Sequence, residues 1–104
     1  MENKRYQLKF LPLFEHDLNE ITDCIVYRLR NPDAAAHLID AVEKAINDRL
    51  PAAESFEPYR GIEEREHPYY WIEVNHFVIF YVVIDSVMEV RRILYMKRDM
   101  KKLL

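Results

Sequence analysis

Tyr6, Leu8 and Phe10 alternate with Gln7 and Lys9, the period-two pattern of a half-buried strand. The period then changes. Phe14, Leu18, Ile21, Ile25 and Leu29 recur at steps of four, three, four and four, which lines one face of an α-helix. Pro12 suits the first turn, where a missing N–H costs nothing, and Glu15, Asp17 and Glu20 favour the same end through the helix dipole. Arg30-Asn31-Pro32-Asp33 reads as a stop and a restart, with Asn31 as N-cap, Pro32 at the first helical position and Asp33 near the positive end. Ala35, Ile39, Val42, Ile46 and Leu50 continue at helical spacing until Pro51 ends the run, because the residue before a proline avoids the α region. Two helices joined by so short a break predict an antiparallel hairpin.

From Pro51 to Pro68 the chain carries three prolines and its one glycine among mostly polar residues. This predicts a long loop, with Ile62 to Glu66 a candidate extended stretch. Tyr69 to Val74, Phe77 to Val83 and Met88 to Met96 come next, rich in the aromatic and β-branched residues that strands favour. Asn75-His76 and the stretch from Ile84 to Val87 separate them at hairpin distances, and Asn tolerates the positive φ of a tight turn. The middle run is apolar without alternation, so it is central and covered on both faces. Strand, helix hairpin and strand meander (β-α-α-β-β-β) predict an α+β fold, with the hairpin on one face of an antiparallel sheet.

A length of 104 residues predicts a single domain over residues 1–104, enough for one modest core. Apolar residues form 50% of the chain and charged residues 32%, a composition that excludes intrinsic disorder. No apolar run reaches the roughly 18 residues of a membrane span. One cysteine, Cys24, cannot form an internal disulfide and fits a reducing cytoplasm. The net charge of −3 argues against indiscriminate nucleic-acid binding, which needs many phosphate contacts. The charge is unevenly placed, however. Pro12 to Leu50 holds eight acidic and four basic residues, whereas Met88 to Leu104 holds six basic and two acidic. A basic tail on an acidic body offers one patch for an anionic or acidic partner.

Little else in the sequence carries chemistry. His16, His37, His67 and His76 lack the spacing of a zinc site, so neither metal nor cofactor is expected. Cys24 reads as a small residue flanking the core, and Glu63, Glu64 and Glu66 read as a solvated run. A base-stacking platform interleaves aromatic and basic residues, yet Tyr69 to Val83 contains no lysine or arginine. Arg91 and Arg92 are the more informative pair. Adjacent strand residues point to opposite faces, which sends one of them toward the helix layer. There a salt bridge to the acidic helices competes with a functional role. The functional reading joins Arg91 or Arg92 to Lys97, Arg98, Lys101 and Lys102 as a target-binding patch.

The order of elements and several short strings resemble the RelE/ParE family of bacterial toxins over nearly the whole chain. The strings are Leu11 to Ile21, Arg30-Asn31-Pro32-Asp33-Ala34-Ala35, Phe77 to Val83 and, most telling, Arg92-Ile93-Leu94-Tyr95-Met96-Lys97-Arg98-Asp99-Met100. The resemblance implies a first strand lying beside the last, and a toxin neutralised by a cognate antitoxin that wraps the helix hairpin and sheet edges. RelE-like members are metal-independent, ribosome-dependent endoribonucleases that cut mRNA with a basic cluster and a C-terminal tyrosine or histidine. ParE-like members lack most of that cluster and poison DNA gyrase. Arg98 stands at the position of one family catalytic arginine and Tyr95 is its nearest aromatic companion, so these two are the catalytic candidates if the chain is a ribonuclease. The later tyrosine of the nuclease pattern falls at about Leu104. The loop from Pro51 to Pro68 offers only Arg60 and Arg65 among five acids, and the pI of about 5.8 is low for a protein docking on ribosomal RNA. Tyr95 replaces the histidine of many ParE-like sequences. The resemblance therefore implies, first, a gyrase-directed toxin acting by protein contact. A ribonuclease acting on the ribosome and its mRNA comes second, and a non-toxic member that only binds a partner third.

Overall fold

The computed structural model describes residues 6–58 and 67–96. In chain order it contains β1 (Gln7–Phe10), α1 (Pro12–Asp23), a π-helical segment (Cys24–Arg28), α2 (Pro32–Arg49), a 3-10 turn (Leu50–Ala52), β2 (Tyr70–Val74), β3 (Phe77–Ile84) and β4 (Val87–Tyr95). The expected stretch from Ile62 to Glu66 lies outside the described residues. The four strands form one sheet in the order β1-β4-β3-β2. The β2-β3-β4 meander is antiparallel, as expected. β1 lies beside β4, as the resemblance implies, but runs parallel to it, Gln7 opposite Val87 through Phe10 opposite Val90. The sheet is therefore mixed, because the helix pair carries the chain back across before the meander begins.

Local chemistry explains most of the element ends. Pro12 opens α1 and Pro32 opens α2. The Asn31 side chain accepts the Ala34 N–H at 3.1 Å, an N-cap worth about 1 kcal/mol. Asn75 adopts φ 55° at the first hairpin, and Asp85 and Ser86 adopt 49° and 65° at the second. A two-residue turn with both φ values positive matches the twist of the strands it joins.

Phe14 is buried and Leu18, Ile21 and Ile25 pack against the core. Leu29 departs from the expected stripe and is 68% exposed. The cause is the π-helical segment, in which Leu29 N–H bonds to Cys24 C=O at 3.2 Å, five residues back. One extra residue in a turn rotates every later side chain by about 100°, which carries Leu29 out of the core. On α2 the buried stripe is Ala35, Leu38, Val42 and Ile46, with Ile39 only half-buried. Two clusters sandwich the sheet. The larger joins α1 and α2 to Ile72, Ile79, Tyr81, Met88, Val90 and Ile93. The smaller gathers Tyr69, Val78, Phe80, Val82 and Leu94, so β3 is covered on both sides as its unalternating sequence predicts.

Candidate functional site

β1 pairs with only Val87–Val90 of β4, so among the described residues no strand borders Arg91–Tyr95 on that side. α1 packs there instead. Asp17, 7% exposed, receives Arg92 Nε at 2.7 Å, Arg92 Nη2 at 2.9 Å and the Ile93 backbone N–H at 3.3 Å. One carboxylate thus satisfies a strand-edge donor and a guanidinium fork together. Of the two roles that compete for this arginine pair, Arg92 takes the salt bridge to an acidic helix.

A register shift sets the two arginines apart. Phe80 pairs with Arg92 and Tyr81 with Val90, leaving Arg91 as an extra residue. Simple alternation therefore fails here: Met88, Val90 and Ile93 enter the helix-side core, a step of two and then one of three. A β-bulge re-aims side chains in this way. Arg91 turns to Glu89, with Nε at 2.9 Å and Nη2 at 2.8 Å from Oε2. It also donates to the Tyr69 hydroxyl at 3.2 Å and lies 5.6 Å from that ring's centroid. Burial alone lowers the affinity of the guanidinium for its proton, but the bonds to Tyr69 and Glu89 outweigh it and the net shift is upward. Lys9 approaches the same Glu89 at 3.8 Å.

Tyr95 packs edge-on against Phe77, ring centroids 5.7 Å apart. Lys97, Arg98, Lys101 and Lys102 lie outside the described residues, as do Arg60 and Arg65. Arg91, Arg92 and Tyr95 therefore share β4, each engaged with neighbours of its own. His16 pairs with Glu20 at 3.1 Å one helical turn on. Cys24 is exposed and does not flank the core. Among the described residues no three histidine, cysteine or acidic side chains group to hold a metal, and no helix is long and apolar enough to cross a membrane.

A second polar group has no counterpart among the sequence expectations. Arg49, at the C-terminal end of α2, donates from Nη1 to the Trp71 carbonyl and to the Tyr81 hydroxyl, both at 3.0 Å. Its guanidinium lies 3.6 Å from the centroid of the Phe56 ring. Tyr81 in turn donates to the Ala53 carbonyl at 2.7 Å and stacks on Tyr70 at 5.3 Å. Burial pushes the Tyr81 phenol up from its usual range, against the opposing pull of Arg49. The group fastens the chain after α2 to the centre of the sheet. The sequence does carry a signal for it: a single hydroxyl inside the apolar run Phe77 to Val83 requires a partner when buried.

The overall fold has counterparts among known proteins. Residues 8–100 match the family described as "ParE toxin of type II toxin-antitoxin system, parDE". The chain belongs to the ParE toxin family. Among solved structures, it is similar to a chain of the chromosomal ParDE system of P. aeruginosa, with TM-score 0.71 and 19% identity over 90% of this chain and 99% of that one. It is also similar to a chain of the archaeal RelE–RelB complex of Pyrococcus horikoshii OT3, with TM-score 0.53 and 14% identity over 89% and 97% of the two chains. At these identities the structures speak for the ParE-family fold alone. No curated protein sequence matches this ParE-family chain.

Proposed function

We propose that this ParE-family chain is a growth-inhibiting toxin that acts by protein contact on DNA gyrase in the cytoplasm and is neutralised by a cognate antitoxin. The antitoxin rests on the family and on the two structural neighbours, which come from a ParDE system and a RelE–RelB complex. The choice of gyrase over the ribosome rests on one observation. Both β4 arginines are charge-paired within 2.9 Å of a carboxylate, Arg92 with Asp17 and Arg91 with Glu89. A ribonuclease needs cations aimed at the developing charge on phosphate, and an arginine already neutralised by a carboxylate serves that poorly. The basic run Lys97, Arg98, Lys101 and Lys102 supplies the remaining target-binding charge in this reading.

Purified protein is expected to inhibit gyrase supercoiling or to trap cleaved DNA, and the product of an adjacent antitoxin gene is expected to reverse this. Primer extension on translated message is expected to show no cuts. Discrete cuts within codons that vanish in Arg98→Ala would replace this reading with the ribonuclease one.

A further inference from the structure

Most of the described cations have an intramolecular partner. Lys9 faces Glu89, Lys44 bonds Asp48, and Arg49, Arg91 and Arg92 are committed to Tyr81, Glu89 and Asp17. Arg28 and Arg30 are the exceptions: among the described residues neither makes an ion pair or a side-chain hydrogen bond. They alternate in sequence with Tyr27 and Leu29, whose exposures of 74% and 68% exceed those of every other large apolar side chain described. All four sit at the tip of the helix pair, where the π-helical segment ends.

The tip is held in this form by its backbone. Beyond the five-residue bond from Leu29 N–H to Cys24 C=O comes one of 3.0 Å from Asn31 N–H to Ile25 C=O, and Arg30 between them takes φ 53°. A regular helix would have continued the Ile21-Ile25 stripe and drawn Leu29 into the core. The fold instead uses a π turn and a left-handed arginine, both costly conformations that concentrate at functional positions, and the outcome is an exposed leucine. Tyrosine and arginine are the residue types that dominate binding hot spots.

We propose that Tyr27, Arg28, Leu29 and Arg30 form the surface that grips the toxin's protein target, seating Tyr27 and Leu29 in an apolar recess rimmed by carboxylates. The inference rests on the preceding reading that the chain acts on a protein. Charge complementarity selects the occupant: two guanidiniums with no ion-pair partner among the described residues, beside two apolar anchors, fit an acidic rim around a hydrophobic centre. Two cations provide too few phosphate contacts for a nucleic acid.

The test uses the full-length protein in two double variants, Tyr27→Ser with Leu29→Ser, and Arg28→Gln with Arg30→Gln. Each is expected to lose at least tenfold in gyrase inhibition and in growth inhibition. The thermal midpoint is expected to stay near that of the parent, because exposed positions contribute little to stability, and so is the affinity for the antitoxin, which keeps the rest of the helix hairpin and the sheet edges to hold. The Gln pair is also expected to weaken the salt dependence of inhibition. Full inhibition by the folded variants overturns the proposal. So does a parallel tenfold loss of antitoxin affinity, which makes the tip an antitoxin contact. A parent dimer that both variants dissolve overturns it in favour of self-association. If the parent leaves gyrase untouched, the gyrase reading fails by itself and growth inhibition decides: variants as toxic as the parent refute the tip, and harmless folded variants uphold it.

Discussion

The carboxylate of Asp17 on α1 and the guanidinium of Arg92 on β4 meet through two bonds of 2.7 and 2.9 Å, seventy-five residues apart in sequence. The same carboxylate receives Ile93 N–H. It thereby caps the edge of β4 where β1 stops pairing, and ties the first helix to the last strand.

Removing one member of this pair is expected to cost more than removing both. Asp17→Ala takes its carboxylate from a largely buried guanidinium and its acceptor from a strand-edge N–H, and a loss of about 3 kcal/mol results. Asp17→Asn keeps an acceptor for Ile93 and loses less. Asp17→Leu with Arg92→Met is expected to recover most of the stability, since apolar replacement of a buried ion pair is often neutral. Urea denaturation of the parent and the three variants checks the order, and a double variant as unstable as Asp17→Ala would refute the coupling.

Tyr81→Phe is expected to destabilise by about 1–3 kcal/mol, because it leaves the Ala53 carbonyl without its 2.7 Å donor and Arg49 without one acceptor. The alkaline limb carries a second signature. Burial raises the phenol in the fold, while the unfolded chain releases the proton near the ordinary value of 10.0. The folded state thus holds more protons above that pH, and the contribution of Tyr81 is complete below it and is lost as pH rises through the folded value. The thermal midpoint of the parent is expected to fall more steeply above pH 10 than that of Tyr81→Phe. Parallel alkaline slopes would remove Tyr81 as the cause.

Period and turn chemistry make the elements legible in the sequence. Asn31 and Pro32 announce the start of α2, Asn75 announces a hairpin, and the unalternating run at Phe77 to Val83 announces a central strand. Leu29 departs from the expected helical stripe, and β4 from simple alternation between Val90 and Ile93, for one shared reason. A π turn and a β-bulge each insert a residue, and a fixed period carried across an insertion sends every later side chain the wrong way. The parallel pairing of β1 is likewise out of reach, since strand direction depends on where the helix pair returns the chain. Of the candidate site, the charge of Arg91 and Arg92 is visible in the sequence, but the neutralisation of Arg92 by Asp17, seventy-five residues away, is a tertiary fact.

Arg30 holds φ 53°, a left-handed conformation that costs a residue bearing a Cβ about 1 kcal/mol. Arg30→Gly is expected to raise stability relative to Arg30→Ala by that order, since both lose the same charge and only glycine relieves the strain. Chemical denaturation midpoints of the two variants compare directly. Equal midpoints would mean that the tip absorbs the conformation without strain.

Lys97, Arg98, Lys101 and Lys102 place four of the chain's fifteen lysines and arginines within six residues. With Arg91 and Arg92 committed to Glu89 and Asp17, this basic run carries most of the charge that could steer the toxin toward an acidic surface. Steering charges act on association rate and fade with salt, whereas apolar anchors govern dissociation. Replacing all four by Ser, with Leu103 and Leu104 retained, is therefore expected to slow association with the target about tenfold or more at low ionic strength. The difference is expected to shrink toward physiological salt, and the thermal midpoint to hold. Growth inhibition after induction is expected to weaken in step. A folded variant with unchanged association and toxicity would strip the run of its role, and a collapsed midpoint would reassign it to the folding of the domain.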